Sequence, residues 1–306
     1  MPQDHAQPEG YGIRPSLAEL IALRARAMAW PPPPHGSAAQ EGPAPSPLRG
    51  RGMDYAESRL YAQGDDARHI DWRVTARTGR THTKIFHAER DRVSLLVADT
   101  APSLYFGTRA CFKSVQAARA GALAAWASQR SGDRITVLRG TRTEAPRLPS
   151  GGSRGALRVL DALARWYARA PVDDAGLDFA LETVLRVVKP GARVLTLADP
   201  RSIDTLADAR LTALSAHHDA IAVLLVDPLE LTPPQARVGF VTQQSRIDLD
   251  LSDQDGRERW RHAFSERFQL ARERLNRLGW RSLALRTDEA PDRVLGALLP
   301  RRREAA

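Results

Sequence analysis

The chain has 306 residues, 42% hydrophobic and 26% charged, the make-up of a globular protein with one large or two modest folded units. Its one cysteine, Cys111, excludes an internal disulfide, and no run approaches the roughly 18 apolar residues of a membrane-spanning helix. The formal charge is +9, but basic and acidic residues interleave, which favours ordinary solvated faces over a dedicated polyanion surface. Only three of the 45 basic residues are lysines: Lys84, Lys113 and Lys189.

Residues 1 to about 15 read as unstructured, without the basic-then-apolar pattern of an export signal. With the lone cysteine this points to the cytoplasm. Leu17, Leu20, Ile21 and Leu23 predict a short amphipathic helix to about Ala29, started by Ser16. A Pro-rich linker follows, so 1–49 form an N-terminal helix and linker, partly disordered. A charge-dense segment spans 50–92, with a turn at Gly64-Asp65-Asp66 and a strand at Thr83–Phe86.

From 93 to 300 strands alternate with helices. The run Val93–Asp99 reads as a strand buried on both faces, ending in a carboxylate. A helix over Ala110–Arg130 and the strand Arg134–Leu138 follow, then helices from Gly151 and over Phe179–Val188. A second buried strand, Arg193–Asp199, also ends in aspartate. A helix over Thr205–His217, the strand Ala220–Val226 and a hairpin (Val238–Thr242, Ile247–Leu251) come next. The helix Gly256–Leu278, the strand Arg281–Leu285 and the helix Pro291–Leu299 precede a basic tail at 301–306. This alternation predicts an α/β fold with a mostly parallel sheet and helices on both faces. Asp99 and Asp199 are then expected at one sheet edge, where such folds place ligands.

The segment Asp99-Thr-Ala-Pro-Ser103 is similar to the Asp-x-Ser-x-Ser opening of the metal-ion-dependent adhesion site in von Willebrand factor A domains. There a hard divalent cation is held by oxygens from three loops. Asp99, Ser103 and Asp199 match, whereas Ala101 and Leu177 stand where hydroxyls belong, so the expectation is a degenerate site with weak or no magnesium binding.

The segment Arg59–Thr78 reads R-x-Y-x-x-G-D-D-x-R-x-I-D-W-x-x-x-A-R-T. Its candidate binding or structural residues are Arg59, Tyr61, Gly64, Asp65, Asp66, Arg68, Asp71, Trp72 and Arg77. One reading is a binding surface anchored by Trp72. The other is a salt-bridge network pinning the segment, with Trp72 buried and Arg68 or Arg77 paired to an aspartate.

This pattern, followed by a strand ending in aspartate, resembles the bacterial domain of unknown function 58 family. Phe106-Gly107, Lys113, Gly132-Asp133-Arg134 and Asp227-Pro228-Leu229-Glu230 add to the resemblance. It implies a von Willebrand factor A-like fold and an adaptor role beside a MoxR-type AAA+ ATPase and client proteins, without established catalysis. Two other classes stay open. A metal-dependent hydrolase or phosphoryl-transfer enzyme would need Asp99, Asp199 and the aspartates at 65, 66 and 71 to converge. A nucleic-acid binder would need a one-sided basic face with exposed aromatics. The histidines and Cys111 lack the spacing or neighbours of a zinc site or nucleophile, and the Gly151–Gly155 stretch lacks a phosphate-binding lysine.

Overall fold

The computed structural model describes residues 12–30, 53–62, 64–88, 92–241 and 246–296. The expected Pro-rich linker, most of the first 15 residues and the basic tail lie outside them. The chain divides into two units, residues 35–91 and residues 1–34 with 92–306.

Two short helices open the larger unit, α1 (Leu17–Ala22) and α2 (Arg24–Met28). As expected, Ser16 caps α1 by accepting the Glu19 N–H. In the smaller unit β1 (Met53–Leu60) pairs antiparallel with β2 (His82–Ala88). Between them lie a 3-10 turn at Ala67–His69 and the helix α3 (Trp72–Thr78). That helix was not expected. Its signals are an Asx cap at Asp71 and a left-handed Gly79 (φ 70°) at its end.

The larger unit continues with β3 (Val93–Ala98), α4 (Lys113–Arg130), β4 (Arg134–Arg139), α5 (Gly152–Trp166) and α6 (Gly176–Val187). Next come β5 (Arg193–Ala198), α7 (Pro200–Asp204), α8 (Asp208–His217), β6 (Asp219–Val226) and α9 (Pro228–Leu231). The hairpin β7 (Arg237–Val241) and β8 (Arg246–Asp250) precedes α10 (Gln254–Trp260), α11 (Arg267–Arg277), β9 (Arg281–Arg286) and α12 (Pro291–Gly296). The helix expected over Gly256–Leu278 is interrupted by a π stretch at Arg261–Glu266, whose middle carries Phe264.

The central sheet runs β4-β3-β5-β6-β9 and is parallel throughout. The central strands β3, β5 and β6 are buried on both faces, which is why they read as largely apolar runs, whereas the edge strand β9 is mostly half-buried. Leu96, Leu195, Ile221 and Val223 face one core layer with Leu123, Leu160 and Leu20. Leu95, Val97, Val194 and Leu224 face the other with Leu181, Leu211 and Phe268. The N-terminal helices belong to the first layer: the Trp126 indole donates to Leu20 O at 3.1 Å, and Arg119 Nε pairs with Glu19 at 2.6 Å.

Topology then fixes where a site can form. After β3 the chain moves outward to β4, then crosses back to β5 on the other side of β3. The strand order reverses between β3 and β5, and the crevice of a doubly wound sheet opens at the carboxyl ends of such a pair. Those ends carry Asp99 and Asp199.

Candidate functional site

The two aspartates meet at that edge. Asp99 donates its backbone N–H to Leu197 O at 2.9 Å, and its Oδ2 accepts the Asp199 N–H at 3.0 Å. Its other oxygen accepts the Ala101 N–H at 3.0 Å. Burial pushes Asp99 up to about 6, against these hydrogen bonds. Asp199 caps α7 through Oδ1, which accepts the Arg201 N–H at 2.9 Å. Its Oδ2 lies 2.7 Å from Lys113 Nζ.

Lys113 is fully buried, and its ammonium also sits 2.7 Å from Glu230 Oε1. Glu230 Oε2 accepts the Asp227 N–H at 2.9 Å, closing a capping box on α9. Burial, the largest single influence, would raise Asp199, but the Lys113 ammonium together with Arg201 outweighs it and holds this carboxyl below its usual range. Burial keeps Glu230 above its usual range despite the same ammonium. Asp227, also buried, accepts from Thr108 N, Thr108 Oγ1, Leu229 N and Thr287 Oγ1 at 2.7–3.0 Å, and so ties three loops together. Phe106 covers the ammonium, its ring centroid 6.0 Å from Nζ. From it an aromatic run leads outward through Phe240 and Trp260 to Phe264, over which the Arg201 guanidinium lies at 5.2 Å.

Lys113 and Glu230 are the central site residues that the sequence reading did not single out as such. Two signals were present. Lys113 is a lysine in an arginine-dominated chain, at the first position of a helix, where a cation opposes the dipole. Its compact ammonium acts here as a point charge reached by both carboxylates. Glu230 lies three residues after Asp227, the spacing of a capping box.

Of the other expected metal-site positions, Ser103 sits half-buried in the 3-10 turn Pro102–Leu104. Leu177, in the first turn of α6, packs into the second core layer. A further cluster lies beyond β4, where Arg139 pairs with Glu144 and Asp173, both at 2.9 Å. Beside it Thr100 Oγ1 donates to Asp174 at 3.1 Å.

In the smaller unit Arg68 pairs with an aspartate as expected, and Arg59 adds a pair that was not expected. Arg68 holds Asp66 at 2.6 Å and Arg59 holds Asp65 at 2.7 Å. Tyr61 donates its hydroxyl to Asp65 O, and Gly64 takes the positive φ of 107° that the turn requires. Asp71 is buried; its carboxylate accepts from Ser58 Oγ at 2.7 Å and from the Arg73 and Val74 N–H groups. Arg77 is exposed and forms no ion pair among the described residues. The expected burial of Trp72 is overturned: the indole is 70% exposed. The reason is the cap. Asp71 turns inward to bind α3's first N–H groups, so the next residue points out, while Val74 and Thr75 face the hairpin.

The profile of the family described as "Protein of unknown function DUF58" matches residues 57–274. The chain belongs to this family. The match takes in both the motif segment and most of the parallel sheet. Its relatives include the uncharacterized proteins Rv1480 of Mycobacterium tuberculosis and Mb1516 of Mycobacterium bovis. Each is 29% identical over 250 residues, covering 79% of this chain and 77% of the relative. No solved structure matches the chain. The all-parallel sheet is consistent with the von Willebrand factor A-like fold that the family resemblance implied. Among the described residues no helix is long and apolar enough to cross a membrane.

Proposed function

We propose that this DUF58 member is a non-enzymatic interaction protein, an adaptor working with a MoxR-type AAA+ ATPase, and that its sheet edge works without a bound metal. The observation that carries this reading is the Lys113 ammonium, buried 2.7 Å from both Asp199 and Glu230. A magnesium ion asks for near-octahedral oxygens at about 2.1 Å. Here Ala101 contributes its N–H to Asp99, Leu177 packs in the core, and one Asp199 oxygen already faces a fixed positive charge. That donor set does not fit a hard cation. Among the described residues no group of three or more His, Cys, Asp or Glu side chains stands ready to hold one.

The same closure argues against hydrolysis or phosphoryl transfer at this edge. Asp99 and Asp199 accept from backbone N–H groups, and Cys111 is buried with its thiol raised by burial, unlike an activated nucleophile. What remains is a rigid, satisfied loop edge, suited to presenting surface.

The test is capture of the MoxR-type ATPase from its native cell by the immobilised full chain, with and without ATP. Capture in at least one nucleotide state, unchanged by EDTA in the nucleotide-free arm, supports the reading. No capture in either state defeats the adaptor role. Capture that needs magnesium without nucleotide, and is lost in Asp99→Ala, restores a metal-dependent adhesion site.

A further inference from the structure

Of the chain's six tryptophans, Trp30 is half-buried against the first core layer, and the other five divide sharply. Trp126, Trp166, Trp260 and Trp280 are buried, and each indole N–H donates to an oxygen, of Leu20, Glu144, Leu229 and Leu211 respectively. Trp72 stands 70% exposed on α3, and its indole N–H has no partner among the described residues. An exposed indole on a helix this well pinned is not a loose end. Asp71 N donates to His82 O at 2.8 Å, and His82 N donates to Thr75 Oγ1 at 3.0 Å. Thr78 Oγ1 donates to Val74 O at 2.9 Å, and Ile70 bridges to Thr83 of β2. The segment therefore holds in place the helix that carries the indole before any partner arrives, which lowers the ordering cost of binding.

The neighbours define what it would meet. At about 100° per residue, Trp72, Arg73, Ala76 and Arg77 share one side of α3, and all four are exposed. Arg80 follows just after the helix, also exposed. The guanidinium groups of Arg73, Arg77 and Arg80 form no ion pair or hydrogen bond among the described residues. Arg59 and Arg68 of the same segment are already neutralised by Asp65 and Asp66. The free guanidinium groups of this segment thus lie on the Trp72 side of α3 or just after it. Tryptophan and arginine are the residue types that dominate interface energetics.

We propose that the Trp72 face of α3, with Arg73, Arg77 and Arg80, is a docking surface for an acidic polypeptide segment carrying an apolar side chain. The apolar group packs on the indole, and two or three carboxylates meet the guanidinium forks. A polynucleotide is the less suitable occupant. It needs a charged track with successive stacking platforms, whereas this patch has one indole. The inference deepens the interaction-protein reading and rests on it, but not on the partner being the ATPase.

The test uses the full chain and fluorescence anisotropy. The probes are a short labelled peptide of alternating glutamate and leucine, its glutamine-for-glutamate counterpart, and a labelled single-stranded oligothymidylate. The glutamate peptide should bind, weakening with salt, and the glutamine peptide should bind at least about tenfold more weakly. Trp72→Ala, and separately Arg73→Glu with Arg77→Glu, should each lower affinity by about tenfold or more with an unchanged melting curve. Absence of peptide binding, equal binding by both variants, or preference for the oligonucleotide overturns the proposal. Its fate is separable from that of the adaptor reading. ATPase capture that survives in Trp72→Ala leaves the adaptor standing and removes this surface as its docking site. Peptide binding as described, with no ATPase captured, keeps the surface and removes the ATPase.

Discussion

Lys113 Nζ and Asp199 Oδ2 lie 2.7 Å apart in the closed interior of the sheet edge, joined from positions 86 residues apart in the chain. One comes from the first turn of α4, the other from the end of β5, and Glu230 completes the ammonium's carboxylate pair from α9. The cluster links a helix to two loops of the switch-point crevice, so its loss should be felt as instability.

Lys113→Met keeps the length of the side chain and removes its charge, leaving Glu230 buried without a counter-ion and Asp199 with only Arg201 Nε, at 3.4 Å. We expect a loss of roughly 3–5 kcal/mol in urea unfolding. Adding Asp199→Asn and Glu230→Gln should recover most of it, because neutral amides can still accept the Arg201 and Asp227 N–H groups. If the single variant is as stable as the wild type, the ion cluster is not structural. Magnesium should leave the wild-type melting temperature unchanged, and a rise that disappears in Asp199→Asn would contradict the metal-free reading.

Asp99 gives a pH signature. Burial raises its folded-state value from 3.8 to about 6, so the folded protein holds this proton more tightly than the unfolded chain. The group's favourable contribution is complete below about pH 4 and is lost as pH rises through about 6. Asp99→Asn cannot titrate, so its stability relative to wild type should improve by roughly 3 kcal/mol between those limits. A stability difference that stays flat from pH 4 to 7 would show that Asp99 is not shifted. The amide also meets one backbone N–H head-on, which adds a pH-independent cost and leaves the slope intact.

Trp72→Ala should change stability by less than about 0.5 kcal/mol, as for an exposed surface position. Trp126→Ala should cost roughly 3–5 kcal/mol, since that indole is buried and bonded to Leu20 O. Paired chemical denaturation curves separate the two. A large loss in Trp72→Ala would mean the indole is covered in solution.

Asp71→Ala removes the α3 cap and the anchor to Ser58 together. A loss of about 1–2 kcal/mol local to the segment is expected. Hydrogen exchange should show faster exchange at Arg73, Val74 and Thr75 with the central sheet unaffected. Uniform protection across α3 would show that the cap is dispensable.

Gly140 carries the tightest backbone approach of the sheet edge: a Cβ there would lie 2.0 Å from Gly176 O. Gly140→Ala should therefore destabilise by roughly 1–3 kcal/mol by forcing β4's end away from α6. Wild-type stability in thermal melts would mean that this loop yields freely.

The sequence by itself determined the central strands, because a parallel strand covered on both faces is apolar at nearly every position, and that is a local property. Val93–Ala98, Arg193–Ala198 and Asp219–Val226 carry it, and the aspartates closing the first two marked the crevice. The ion pair of Asp66 with Arg68 was legible for the same reason, the two being neighbours in the chain. Tertiary structure alone decided which charges meet across distance. Lys113 and Glu230 are 117 residues apart, and no spacing rule brings them together; the reversal of strand order between β3 and β5 does. It also decided the direction of Trp72. Composition around the indole suggested burial, but a single capping carboxylate at Asp71 sets the helix's rotation, and that rotation turns the indole to solvent.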